Sequence, residues 1–293
     1  MKKRIFSRLM LALCALLLSG CSRMLFMPMR PLLRTPADVG IAYRDVELMA
    51  ADGTRLAAWW LPAQGPARGS VLFLHGNAEN ISTHLASVYW LPAEGYQVLL
   101  LDYRGFGGSE GTPRIPAVFA DLHAAFDWLA GEPATQGLPL YLLGQSLGAT
   151  LGGYLAGADP ALRSRLAGVV LDAGFARYRW IAHDVARQSW LTWPLQWPIG
   201  WSMPRGYDLL DQVGNISPVP LLLIHGRQDA IVDHRHAEAL FAAARPPRFL
   251  LGYDGPHIGS FMDPEIRAAL LRFLADPAQG CEAILPGACR NTD

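Results

Sequence analysis

Residues 140–150 read Leu140-Tyr141-Leu142-Leu143-Gly144-Gln145-Ser146-Leu147-Gly148-Ala149-Thr150. Four apolar residues predict a buried strand, and the small residues from Ala149 to Tyr154 predict a helix that starts immediately afterwards. Between them, Gly144-Gln145-Ser146-Leu147-Gly148 has the G-x-S-x-G spacing of a nucleophile elbow. Reversing from strand to helix in so few residues brings two backbones together, so a side chain at either flanking glycine would clash with its neighbour. The turn lifts the Ser146 hydroxyl above the sheet and aims a helix N-terminus at it. Positive potential there stabilises an oxyanion.

The same alternation repeats on both sides. Apolar runs at 70–74, 96–101, 166–171 and 219–224, with a shorter one at 248–252, predict strands buried on both faces. Helical patterns at 81–93, 116–130, 147–156, 234–243 and 264–274 separate them. Segments 45–50 and 54–61 flank Ala51-Asp52-Gly53, a hairpin signal, so an antiparallel edge opens the domain. Together these predict an α/β fold: a mostly parallel twisted sheet flanked by helices, joined by right-handed crossovers. One interval breaks the rhythm. About forty residues separate the strand ending near Asp172 from the next, far beyond a usual connection. They carry Trp180, Trp190, Trp193, Trp197 and Trp201, and we expect a small Trp-rich cap over 174–215. Whether those tryptophans pack in a core or line a substrate pocket stays open at this point.

Serine is a poor nucleophile until a base takes its proton. His257 fits the base, in a Gly- and Pro-shaped loop after the last predicted strand. Asp229 fits the acid that orients it, after the preceding strand; Asp172 and Asp254 are the rivals. The order Ser146, Asp229, His257 matches one of three known triad orders. The oxyanion donors are expected to be the backbone amides of Asn77, in the turn Leu74-His75-Gly76-Asn77, and of Leu147, after the serine. The His75 ring is read as structural. His84, His123 and His183 lack a strand-end context; His225 mirrors His75 beside a glycine; His234 and His236 open a helix capped by Asp233.

The chain has 293 residues, 51% hydrophobic and 17% charged, with 25 basic against 25 acidic side chains. That suffices for one large domain, and the balanced charge argues against a nucleic-acid partner. Lys2, Lys3, Arg4 and Arg8 precede an apolar run at 9–18 that is too short for a comfortable span and reads as a targeting signal. Its ending, Leu18-Ser19-Gly20-Cys21, resembles the lipobox of bacterial lipoproteins. The resemblance implies a signal peptide at 1–20, cleavage before Cys21, lipid on its thiol and a membrane partner through that lipid. Ser22, rather than Asp, implies the outer membrane, facing the periplasm. An ordinary signal peptide or an uncleaved anchor is the alternative. Residues 21–42 read as a lipid-anchored tether with apolar patches. Cys14 leaves with the signal. Cys281 and Cys289 fall in a C-terminal tail, 277–293, and are expected to pair in an oxidising compartment, free thiols being the alternative. The four cysteines have no zinc spacing, so neither metal nor cofactor is expected.

These residues resemble the α/β-hydrolase superfamily, and more closely its Bem46/ABHD13/ABHD17-like branch of serine hydrolases. The resemblance runs over 45–275. It is carried by His75-Gly76-Asn77-Ala78-Glu79-Asn80, Asp102-Tyr103-Arg104-Gly105-Phe106-Gly107-Gly108-Ser109-Glu110-Gly111, the elbow, His225-Gly226 with Asp229, and Pro256-His257. It implies a hydrolase domain over 43–276, with Arg104 tying loops behind the oxyanion turn. Glu79 and Arg114 depart from the branch pattern, and Glu79 is placed to alter the pocket rim. The expected activity is hydrolysis of a small-molecule or acyl ester, or a thioester, through an acyl-enzyme. A serine peptidase of the same fold and a non-catalytic envelope scaffold are the alternatives.

Overall fold

The apolar runs become the centre of one twisted sheet in the computed structural model, which describes residues 25–290. The expected signal peptide, Cys14 and Cys21, the expected lipidation site, lie outside the described residues. In chain order the strands are β1 (Met27–Pro28), β2 (Arg44–Met49), β3 (Arg55–Leu61), β4 (Gly69–Leu74), β5 (Ala78–Glu79), β6 (Tyr96–Leu101), β7 (Leu140–Gln145), β8 (Leu166–Asp172), β9 (Leu221–Gly226), β10 (Arg248–Tyr253) and β11 (Cys289–Arg290). Nine of them form a sheet in the order β11-β10-β9-β8-β7-β4-β6-β3-β2. All neighbours from β6 to β10 are parallel, while the β2·β3, β3·β6 and β10·β11 pairs are antiparallel. Every residue of β4, β6 and β7 is buried, as strands covered on both faces require. The chain leaves β4 for β6 on one side and returns to β7 on the other. A crevice therefore opens at the carboxyl ends of β4 and β7, where open α/β sheets bind ligands.

The helices are α1 (Ile81–His84), α2 (Val118–Gly131), α3 (Leu147–Ala158), α4 (Pro160–Arg163), α5 (Tyr178–Arg187), α6 (Gln196–Ser202), α7 (Arg235–Ala243), α8 (Pro264–Ala275) and α9 (Cys281–Ile284). Leu122, Leu151 and Leu240, from α2, α3 and α7, join one core layer; Ile81 of α1 and Leu270 of α8 join the other. The N-cap position of α7 falls on His234 rather than on the expected Asp233, which stands one residue earlier and accepts from the Arg235 amide at 2.9 Å.

Four further expectations need correction. The helix read over 81–93 forms only as α1, followed by 3-10 turns at Leu85–Ser87 and Leu91–Glu94. Pro92 has no amide to offer the Val88 carbonyl, which takes the Leu91 amide instead at 3.0 Å. Arg104 ties loops together, but those loops are the β2–β3 turn, through Asp52, and α2, through the buried Asp121. The segment read as a tether lies on the domain where it is described. There β1 pairs in parallel with β5, Phe26 is buried edge-on to Phe106, and the Met29 carbonyl accepts from Gly107 N at 2.9 Å and Asn80 Nδ2 at 3.0 Å. The sheet also extends past the expected boundary at 276. Cys281 and Cys289 form a disulfide, and β11 pairs with the edge strand β10.

Candidate active site

Ser146 sits between the end of β7 and the first residue of α3 with φ 52° and ψ −115°. A side chain at Gly148 would stand 2.2 Å from the Leu74 carbonyl oxygen, and one at Gly144 would stand 2.6 Å from the Ala149 backbone. Only glycine lets the helix start so close to β4. Non-glycine residues with positive φ are rare and costly. Among the described residues they are Glu79, Ser146, Ala173 and Ile258, and all but Ala173 line one cavity. The strained backbone is thus gathered where it shapes a single site.

His257 Nε2 is 3.0 Å from Ser146 Oγ, and His257 Nδ1 is 2.7 Å from Asp229 Oδ2. Asp229 Oδ1 accepts from the amides of Ile231 and Val232, each at 2.8 Å. Those bonds fix the carboxylate and leave Oδ2 for the imidazole. Burial works against the Asp229 charge, but the bond from His257 and the two amides outweigh it and hold its pKa below the ordinary carboxylate range. The histidine loop is braced by the Tyr253 hydroxyl, which donates to Pro256 O at 2.7 Å.

The rivals have other partners. Asp172 is fully buried and accepts from Ser260 Oγ at 2.5 Å and Gln145 Nε2 at 2.8 Å. Burial pushes its pKa up to about 6 against the pull of those two bonds. Since Gln145 precedes Ser146 and Ser260 follows the His257 loop, this carboxyl joins the two. Asp254 is paired with Arg227 on the surface. The His75 ring is buried between Tyr103 and His84, with Nδ1 2.8 Å from Gly76 O.

Asn77 and Leu147 both line the cavity beside Ser146. The Asn77 turn is held from behind by Tyr103 OH, which donates to His75 O at 2.9 Å, and from the side by Met27 N, which donates to Asn77 O at 2.8 Å. The cavity measures about 460 Å³, and the cap contributes Ile181, Ala182, Val185, Ile199 and Met203 to its lining. None of the five cap tryptophans lines it. On α6, Ile199 faces the cavity while Trp197 and Trp201 point outward. Among the described residues no cluster of three His, Cys, Asp or Glu is placed to hold a metal.

A family model described as serine aminopeptidase, S33, matches residues 65–205. The uncharacterized protein YfhR of Escherichia coli (strain K12) is 36% identical over 225 residues, 75% of each chain. The alpha/beta hydrolase domain-containing protein WAV2 of Arabidopsis thaliana is 29% identical over 280 residues, 88% of this chain and 87% of its own. Together with the sheet order and the elbow, this decides the family. The chain belongs to the α/β-hydrolase superfamily. The Pyrococcus furiosus esterase Pf2001 shares the hydrolase fold with a TM-score of 0.71 at 22% identity, over 87% of this chain and 98% of its own.

The hydrolase site brings together all five residues expected from sequence. It also contains residues that the sequence reading passed over. His84 lines the cavity and stacks on His75; burial pushes its pKa down to about 3. Leu25 and Met27, from the expected tether, line the cavity too. Glu79 lines the cavity as well.

Proposed function

We propose that this hydrolase is an envelope-anchored serine esterase or thioesterase that works through an acyl-enzyme. The observation carrying this reading is the hydrogen-bonded run Ser146–His257–Asp229, whose serine and histidine line an apolar cavity. Ser146 Oγ attacks the acyl carbon as His257 Nε2 takes its proton, and Asp229 steadies the imidazolium. The Asn77 and Leu147 amides receive the negative oxygen. The C–O or C–S bond to the leaving group breaks, and His257 returns the proton to that group. Water, deprotonated by His257, then adds to the acyl-enzyme and frees the acid and the serine. The apolar lining supports an acyl chain as the part that is held. Anchoring rests on the lipobox-like Leu18-Ser19-Gly20-Cys21, and the Bem46-like branch on the motifs that resemble it.

A peptidase reading has one observation behind it. Glu79 is the acid among the described lining residues, and an aminopeptidase needs a carboxylate for the substrate's ammonium. Acyl esters of graded chain length assayed beside aminoacyl arylamides separate the two readings.

A fluorophosphonate probe tests the nucleophile. Labelling of the full chain is expected, and it should vanish in Ser146→Ala and His257→Ala. Asp229→Asn should lower kcat by about 10⁴-fold, as loss of a triad acid does through the wrong imidazole tautomer. An unlabelled, folded wild type would sink the reading. The mass of the mature N-terminal peptide, beside that of Cys21→Ala, tests the lipid.

A further inference from the structure

The cap has two faces of opposite use. Thr192 lines the cavity while its neighbours Leu191 and Trp193 are exposed, and Ile199 lines it while Trp197 and Trp201, two positions to either side, are exposed. Trp190 is 83% exposed, Trp193 58%, Trp197 51% and Trp201 59%. Leu191 and Leu195 between them are also exposed. Large apolar side chains left in water over so short a stretch mark an interaction surface. The apolar exposure continues to the cavity mouth, because Met27, Val185 and Ile231 both line the cavity and reach solvent.

We propose that this outer face of the cap docks on the interfacial layer of a lipid bilayer, so that the cavity mouth opens onto the membrane and draws its acyl substrate from there. Three features favour a bilayer over a protein partner. Tryptophan is enriched at membrane–water boundaries, where its ring is half wet and half apolar. Between positions 185 and 207 there is no Asp or Glu, while Arg187 and Arg205 are exposed, a balance suited to anionic headgroups. The N-terminal segment also reaches the cavity, because Leu25 and Met27 line it. Cys21 stands four positions before Leu25, so a lipid on its thiol would be held within about 14 Å of the mouth at full extension. An anchor that short leaves the cap facing the surface that holds the anchor. The inference rests on the proposed acyl hydrolysis for its substrate, and docking is read separately from it below.

The test uses the full chain in vesicles of phosphatidylethanolamine and phosphatidylglycerol, prepared with plain or brominated acyl chains. Brominated lipid is expected to quench the wild-type tryptophan emission. Trp190→Ser/Trp193→Ser/Trp197→Ser/Trp201→Ser should lose most of the quenching, because Trp59 and Trp60 are buried and Trp90, Trp128 and Trp180 only partly exposed. Carried in the Cys21→Ala background, the same four substitutions should lower vesicle partition about tenfold or more. Wild-type protein that floats with the vesicles yet shows the same emission in both lipids overturns the proposal. So does a sedimenting dimer whose emission is blue-shifted without lipid, which would assign the face to a second copy. Should the fourfold variant fail to fold, wild-type quenching decides alone. Fluorophosphonate labelling in the same vesicles reports on the serine, and the N-terminal mass reports on the lipid. Quenching without labelling therefore leaves docking standing and rejects only the proposed chemistry.

Discussion

Asp172 shows how one side chain serves a site it does not enter. Its carboxyl accepts from Gln145, which leads into the elbow, and from Ser260, three residues past His257. Its backbone carbonyl also accepts the Ser146 amide at 2.8 Å. Asp172→Ala would strand two buried donors, at about 1–3 kcal/mol each, and would loosen elbow and histidine loop together. We expect a lower denaturation midpoint and a lower kcat at nearly unchanged KM. Asp172→Asn keeps an acceptor oxygen and should restore most of both; equal damage by the two substitutions would refute the brace. Ser146, Asp229 and His257 are legible in the sequence because each stands just past an apolar run, with glycines at the turn that exposes it. The brace is not. Its partners lie 27 and 88 positions from Asp172, and no local pattern joins them. His84 is equally hidden, since a four-residue helix has too little periodicity to declare a face.

Among the elements, the short pair β1·β5 links the N-terminal segment to the turn that carries Asn77. Two-residue strands carry no alternation to read, which is why residues 25–33 pass for a tether in the sequence. Met27→Pro removes the amide that donates to Asn77 O. We expect kcat to fall about tenfold, short of the 10²–10³ or so that follows outright loss of an oxyanion donor, with a small change in melting temperature. Met27→Leu should behave as wild type. A kcat indifferent to proline would show that the turn holds itself. The cap tells the opposite story. Trp197 and Trp201 are four apart on α6, with Ile199 on the opposite side. Helical spacing alone therefore separates the tryptophans from the cavity wall once α6 is known to be a helix.

At the scale of the molecule, acidity works through histidines held neutral. Burial keeps the pKa of His84, His225 and His236 below the ordinary imidazole value, to about 3 for His84. Below about pH 6.5 the unfolded chain takes up protons on these rings that the folded chain refuses, so stability falls as pH drops towards 3. Asp172 acts in the opposite sense between about 4 and 6, because its folded carboxyl stays neutral there while the unfolded one ionises. His183 is lowered in the same way and Asp121 is raised like Asp172, so four rings against two carboxyls make net loss on acidification the expectation. A melting temperature that is flat from pH 7 to 4.5 would contradict it, and His84→Gln should shallow the slope. At the other end of the sheet, Cys281 and Cys289 lie 8 positions apart, and their bond ties down β11. Replacing both with serine should cost about 2–3 kcal/mol, seen as a lower denaturation midpoint that reducing agent reproduces in the wild type. The sharper effect is collective. With β11 loose, β10 offers a row of unpaired amides and carbonyls to any neighbour. Clouding of a concentrated sample after thiol treatment, well before the fold melts, would then reflect strands of different molecules adding edge to edge: a nine-residue loop decides whether these molecules keep apart on the shelf.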